Sequence, residues 1–431
     1  MLRFAPSPTG DMHIGNLRVA IFNYIVARQR GERFIVRIED TDTERNIEGK
    51  DKEILDILKK FELEFDDVIY QSANMNFHQN FAYKLLEQKK AFACFCTKEE
   101  LEEEKERAKA QRRAYRYSGK CENLSLEEAA KRSGKFVIRI KKPTTDIGFE
   151  DIIKGPMKFA PNEVDSFVIL RADGRPTYNF ACAIDDMLHD ISLVIRGEDH
   201  LSNTPKQIHI RKSLGYDKEI EYAHLPIILN KEGKKMSKRE SASSVKWLLE
   251  EGFLPSAIAN YLILLGNKTP TEIFTMDEAV EWFDLKNLSK SSARFDMEKL
   301  RFINREHLKR LDPHELARLL SIEPRFGELA KIYLEEASTL KELKEKFDTM
   351  FYGKRDFGEF EKEAQVLREL VLNMEKPRDF EEFKKELMEK SSLKGKKFFK
   401  PLRILLTGAQ HGPELSDIYP YIKEDIKRIV K

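Results

Sequence analysis

Two hydrophobic rhythms alternate along the first part of the chain, and one takes over in the last. LRFA (residues 2–5) is a short apolar run that reads as a strand, and the turn-rich PSPTGD follows it. Over MHIGNLRVAIFNYIVARQRG, residues Leu17, Ile21, Phe22, Ile25 and Val26 recur at a helical period, and Gly31 suits the helix C-cap. ERFIVRIED (residues 32–40) reads as the next strand. Strand, loop, helix and strand in that order imply a parallel sheet, with a ligand site at the carboxyl ends of its strands. No G-x-G-x-x-G accompanies them, so the ordinary dinucleotide fingerprint is absent.

Near residue 72 the rhythm breaks. A charged helix, TKEELEEEKERAKAQRR, opens on a capping box of Thr97 with Glu100, and the strand-like KFVIRIKKP and DSFVIL come after it. Alternating apolar strands and helices return with DGRPTYNF (residues 173–180) and ISLVIRGED. After residue 245 the pattern is helical: VKWLLEEGF, PSAIANYLILLG, MDEAVEWF and onward. The expected fold class is α/β. A parallel-sheet domain (residues 1–72 and 173–245) is split by an α+β insertion (73–172). A helical domain (246–310) and an all-α region (311–431) follow.

Composition narrows the reading. At roughly 150 residues per domain, 431 residues suggest about three domains. Charged residues make up 35% but nearly cancel, leaving +2, so any nucleic-acid footprint is local. The last forty-one residues carry nine Lys/Arg against four Asp/Glu, densest in KGKKFFK, although one basic run is equally a solvated helix face. Four cysteines are too few for a disulfide scaffold and suit a reducing compartment. MLRFAPSPTG does not read as a signal peptide, and no stretch approaches the ~20 apolar residues of a membrane span. The expectation is a soluble cytoplasmic protein.

Three stretches carry chemistry. In Pro6-Ser7-Pro8-Thr9-Gly10-Asp11-Met12-His13-Ile14-Gly15-Asn16, glycines flank a histidine between a strand end and a helix start. That arrangement lets a phosphate-bearing ligand approach the backbone, and helix N-terminal N–H groups favour anions. Alone it is as well a tight turn. In Lys235-Met236-Ser237-Lys238-Arg239, lysines on a loop after Gly233 can close over a triphosphate, with Met236 as the apolar anchor. Alone it is as well a solvated basic loop. Cys94-Phe95-Cys96, whose spacing sets both thiols on one face of a strand, offers three thiols together with Tyr117-x-x-x-Cys121, and zinc wants four ligands. Cys182 lies far away in sequence and reads as a small buried residue.

The first two stretches, in this order on two halves of a split sheet, resemble the HIGH and KMSKS signatures of class I aminoacyl-tRNA synthetases. Together with VRIEDTD (36–42), DGRPTYNF, VIRGEDHLSNTP (194–205) and KPLRILLTG (400–408), they make the chain similar to the bacterial glutamyl-tRNA synthetases over essentially its whole length. Asn16 stands where that signature has its second histidine, Arg239 where it has its final serine, and Met12 where leucine is usual.

The resemblance implies a Rossmann-type catalytic domain, an acceptor-stem-binding insertion, a helical stem-contact domain and an anticodon-binding domain. It implies ATP with Mg²⁺ as co-substrate, bound by His13, Gly15, Asn16 and Lys238, with His13, Lys235 and Lys238 as catalytic groups. It implies glutamate held by Arg3, Ala5, Ser7, Glu39, Tyr178 and Arg196. Arginine suits a carboxylate because its planar fork engages both oxygens, and at the side-chain carboxylate it would reject glutamine. Relatives with a C-x-C…C-x-H zinc site have histidine where this chain has Asn123. A tRNA-modifying relative uses a tyrosine, which points to Zn²⁺ on Cys94, Cys96, Tyr117 and Cys121. The implied partners are tRNA-Glu, tRNA-Gln or both, with glutamate and ATP and no membrane, and the protein itself is expected to be a monomer. The rival readings are a non-catalytic RNA-binding paralogue, the tRNA-modifying relative, which lacks the helical C-terminal half, and a glutaminyl-tRNA synthetase.

Overall fold

In a computed structural model of the chain every residue is described except 125, 133, 237–239 and 376–378. The chain divides into two compact units, residues 1–245 with 262–295, and residues 246–261 with 296–431.

The first unit begins with β1 (Leu2–Phe4), α1 (Ile14–Arg30), β2 (Phe34–Ile38), α2 (Lys50–Lys60) and β3 (Asp67–Tyr70). It continues through α3 (Met75–Glu87), β4 (Ala91–Cys94), α4 (Lys98–Ala110), α5 (Leu126–Lys131), β5 (Val137–Ile140), β6 (Ile147–Asp151), β7 (Gly155–Phe159) and β8 (Val168–Leu170). Then come α6 (Tyr178–Leu188), β9 (Leu193–Gly197), α7 (Thr204–Ser213), β10 (Glu221–Leu225) and β11 (Ile228–Leu229). After α8 (Val245–Glu250) and α9 (Pro255–Leu264), α10 (Met276–Trp282) and β12 (Ala293–Arg294) complete it.

Seven strands form the main sheet, in the order β3-β2-β1-β9-β10-β6-β7. Every neighbouring pair is parallel except β6 with β7. The chain order reverses between β1 and β9, so a crevice opens at their carboxyl ends, the usual ligand position in such sheets. β2 is buried along its whole length, as expected of a strand covered on both faces. α1 ends where Gly31 takes a left-handed φ of 62°, with its N–H on the Arg28 carbonyl at 3.2 Å.

The sheet draws β6 and β7 from inside the segment that the sequence pattern sets apart as an insertion. Tyr222 of β10 sits opposite Asp151 of β6. The rest of that segment builds a separate antiparallel sheet, β4-β5-β8. Its inner face packs Ile138, Ile140 and Ile169 against Leu85 of α3 and Phe180 and Ile184 of α6. Both halves of the Thr97–Glu100 capping box form at the start of α4.

The second unit is helical: it takes α8 beyond Val245 and α9 as far as Tyr261, and then runs from α11 (Met297–Arg310) to α19 (Ile426–Ile429). Its aromatic core includes Phe326, Phe347 and Phe351 on one side and Phe383 with Tyr419 on another. No helix among the described residues is long and apolar enough to cross a membrane.

Candidate active site

A cleft of about 410 Å³ opens at the carboxyl ends of β1 and β9. Arg3, Ala5, Ser7, Glu39, Tyr178 and Arg196 line it, and so do Pro6, Thr9, Gly10, His13, Gly15, Asn16, Lys235 and Met236. Pro8 and Ile14 are not on its wall. Both are buried, and the Pro8 carbonyl accepts the Ile47 N–H at 2.9 Å.

His13 is the N-cap of α1, and its Nδ1 accepts the Gly15 N–H at 3.0 Å. The neutral ring therefore carries its hydrogen on Nε2. A side chain at position 15 would start 3.3 Å from that Nδ1, so glycine lets the ring fold over the helix end. The second loop approaches the same place. Met236 is buried, and its N–H bonds the Ile228 carbonyl at 3.0 Å. Lys235 reaches Asp199 Oδ2 at 3.0 Å. Ser237, Lys238 and Arg239 lie outside the described residues. Beyond them the chain returns to the first loop: Ser244 forms a β-bridge with His13, and the Val245 N–H bonds the Met12 carbonyl at 3.1 Å.

The polar floor of the cleft is a buried ion network. Asp186 of α6, wholly buried, accepts Arg3 Nε at 3.0 Å and an Arg37 terminal nitrogen at 2.6 Å. Burial pushes its carboxyl up, but the two guanidiniums outweigh burial and hold it well below the usual carboxylate range. Arg37 also reaches Glu39 Oε1 at 3.3 Å, and the Cys182 thiol donates to the same oxygen at 3.1 Å. Burial raises the Glu39 carboxyl, and Arg37 only partly offsets it. An arriving ammonium would complete the compensation, because a carboxylate in a dry site is stabilised by an opposite charge.

Arg196 is buried at the far side of the floor and bonded through all three nitrogens to His224, Gln207 and Thr204. The Tyr178 hydroxyl pairs with His200 Nδ1 at 3.0 Å. The site therefore has a cationic half suited to carboxylates and a helix N-terminus with a lysine suited to phosphates.

The cysteine group lies apart, in the β4-β5-β8 segment. β4 ends at Cys94, so Cys94 and Cys96 do not share a strand face as their spacing suggests; Cys96 lies in the loop beyond. Their thiols still converge. The Sγ atoms of Cys94, Cys96 and Cys121 lie within 4.8 Å of one another. The Tyr117 hydroxyl is 3.4 Å from the sulfurs of both Cys94 and Cys96, and the Cys96–Cys121 sulfur separation is 3.6 Å. Tetrahedral zinc with Zn–S bonds of about 2.3 Å separates its sulfurs by about 3.8 Å. The donor set thus fits a small tetrahedral metal.

Several residues of the buried network beneath the cleft carry no signal of their own in the sequence. Arg37 reads as one charge in a strand, and Cys182 as packing. Asp186 left a trace: two adjacent acids, Asp185 and Asp186, interrupt the apolar run of α6, and both are fully buried. Paired acids at buried helical positions demand cationic or hydrogen-bonding partners.

Comparison with known proteins adds the family context. A family described as tRNA synthetases class I (E and Q), catalytic domain, matches residues 1–302, and an anticodon binding domain matches residues 289–429. The glutamate–tRNA ligase 1 of a Nitratiruptor species is 72% identical over 431 residues, covering all of both chains. The glutamate–tRNA ligase 1 of Campylobacter jejuni subsp. jejuni serotype O:2 is 60% identical, again over all of both chains. Among solved structures, a glutamate tRNA ligase from Elizabethkingia meningosepticum in complex with its amino acid superposes with a TM-score of 0.85 at 29% identity. That match covers 99% of this chain and 97% of that one.

Proposed function

The chain belongs to the class I tRNA synthetases of the E and Q group, and from that premise we propose that it attaches L-glutamate to the 3′ end of tRNA at the expense of ATP. The observation that carries the reading is the single cleft shared by Arg3, Glu39 and Arg196 with His13 and Lys235. It sets a carboxylate-binding half beside a phosphate-binding half.

In the first step an α-carboxylate oxygen of glutamate attacks the α-phosphorus of ATP. The bond from that phosphorus to the oxygen bridging to the β-phosphate breaks, and pyrophosphate leaves; Mg²⁺ accompanying the ATP would balance phosphate charge. In the second step a ribose hydroxyl of the tRNA terminus attacks the glutamyl carbonyl and AMP departs. Catalysis is positioning plus charge stabilisation, with no nucleophile from the protein. Glu39 receives the substrate ammonium, and Arg3 and Arg196 receive its carboxylates. A glutamine amide would set N–H groups against guanidinium N–H groups, which is how the site rejects it. His13, Lys235 and Lys238 contact the phosphates, with Gly15 and Asn16 beside them. We place the enzyme in the cytoplasm as a monomer, with tRNA present for the first step as well as the second. The anticodon-domain match over residues 289–429 favours this reading over a tRNA-modifying relative that lacks the helical half.

The substrate tRNA is tRNA-Glu, tRNA-Gln or both. Aminoacylation of the two purified tRNAs in parallel with labelled glutamate decides among these. Transfer of glutamate to at least one is expected, and transfer to neither refutes the function.

Cys94, Cys96, Cys121 and Tyr117 are proposed to hold Zn²⁺, which would tie β4 to the 117–121 turn as a structural staple. Metal analysis of protein purified without a metal-binding tag should give about one zinc per chain. A Cys121→Ser protein should lose it and melt at a lower temperature. A metal-free wild-type protein of undiminished stability would remove the proposal.

A further inference from the structure

β9 and β10 run side by side in parallel, and Arg196 of β9 lies opposite His224 of β10. Opposed residues of neighbouring strands direct their side chains to the same face. Arg196 Nε donates to His224 Nε2 at 3.1 Å. One terminal nitrogen donates to Gln207 Oε1 at 2.9 Å and the other to Thr204 Oγ1 at 2.5 Å. A guanidinium has five N–H groups, so these three bonds leave one N–H on each terminal nitrogen. Each terminal nitrogen thus keeps an N–H to offer a carboxylate, and Arg196 is on the cleft wall.

The Nε bond exists only if His224 Nε2 presents a lone pair. Asp151 makes that so. Its Oδ2 lies 2.6 Å from His224 Nδ1, which places the imidazole hydrogen on Nδ1. The Thr204 hydroxyl accepts from Arg196 and passes its own hydrogen to the same Nε2 at 3.0 Å. With the other tautomer, an imidazole N–H would face the Arg196 Nε–H. His224 is wholly buried and Asp151 nearly so, which leaves no water to repair such a clash. Burial also lowers the basicity of His224, in keeping with a neutral ring. Asp151 is itself held. Its Oδ1 accepts the Ile153 and Lys154 N–H groups at 3.0 and 2.8 Å, and its Oδ2 also accepts the His224 N–H at 3.1 Å.

We infer that Asp151 and His224 are positioning residues for the substrate-binding fork of Arg196: the carboxylate fixes the imidazole tautomer, and the imidazole fixes the guanidinium. Asp151 reaches this role from β6, so the glutamate pocket is aligned by the segment that the sequence separates from the catalytic fold. The inference rests on the reading that Arg196 binds a carboxylate of glutamate.

Steady-state kinetics of four variants in the presence of tRNA tests it. In Asp151→Asn the Ile153 and Lys154 N–H groups hold the remaining oxygen at the Oδ1 position, so the amide nitrogen takes the place of Oδ2, gives up the bond from the His224 backbone N–H, turns its N–H to Nδ1 and drives the imidazole hydrogen to Nε2. The KM for glutamate should rise about tenfold or more while the KM for ATP stays within about twofold. His224→Gln puts an amide oxygen near the Nε2 position and has no tautomer to set. Its KM for glutamate should stay within about threefold of wild type, and adding Asp151→Asn to it should change little. That rescue is the outcome a purely structural role does not produce. Equal rises in both KM values, no rise, or a double variant worse than Asp151→Asn alone would overturn the inference. If Asp151→Asn does not fold, His224→Leu must show the glutamate-specific rise that His224→Gln escapes, and failure to do so overturns it equally. Arg196→Lys separates the two levels. An unchanged KM for glutamate in that variant refutes the pocket assignment itself. A raised KM there beside an unaffected Asp151→Asn refutes only the positioning role.

Discussion

An Asp186→Ala protein is expected to lose about 3–5 kcal/mol of stability and most of its ability to activate glutamate. Asp186 is completely buried and is the shared acceptor of Arg3 and Arg37. Removing it leaves two guanidiniums in a dry interior that have lost their shared acceptor, with Glu39 and Asp185 as the remaining counter-charges nearby. Breaking a buried ion network in this way costs far more than the network contributes relative to an apolar core, because the orphaned charges keep their desolvation penalty. The damage reaches function because Arg3 lines the cleft and is oriented by that carboxylate. Asp186→Asn keeps the shape and one acceptor and should lie between wild type and alanine. The sign of the pH effect follows from the depressed folded-state carboxyl. Its contribution is fully present above the unfolded value of about 4 and is lost as pH falls through the folded value. Urea unfolding at pH 7 and at pH 3.5 measures both effects. The gap between wild type and variant should narrow at the lower pH.

His13→Ala is expected to slow glutamyl-adenylate formation about 10²- to 10³-fold, with the KM for glutamate nearly unchanged. The imidazole does two jobs through its two nitrogens. Nδ1 caps α1 through the Gly15 N–H, which puts the hydrogen on Nε2 for use toward a phosphate oxygen. Loss of the cap alone costs about 0.5–2 kcal/mol. His13→Ser separates the two, since serine caps a helix well but cannot extend a donor into the cleft. It should keep wild-type stability and share the catalytic defect of alanine. A His13→Ser protein that is as active as wild type would reduce His13 to a helix cap.

Much of the fold was legible because its signals are local. The helical period of α1, its glycine stop, the Thr97–Glu100 box and the all-helical tail depend on residues within a few turns of one another. The pairing of β6 with β10 is different. It joins Asp151 to Tyr222 across 71 positions, and nothing in either strand names its partner. The cleft divides in the same way. Residues carried by short motifs, such as His13, Glu39 and Arg196, stand out in the sequence. Asp186 and the Asp151–His224 pair do not, because their roles exist only once distant side chains meet. The spacing of Cys94 and Cys96 misled in a small way, since β4 ends too soon for a shared strand face, although the thiols converge.

The most direct test of the account is ATP–pyrophosphate exchange by the wild-type protein with tRNA present, comparing glutamate with glutamine. A pocket built on Arg3, Glu39 and Arg196 beside the His13 loop predicts exchange that requires glutamate and is not supported by glutamine. Exchange that runs equally well with glutamine, or none with glutamate, would contradict it.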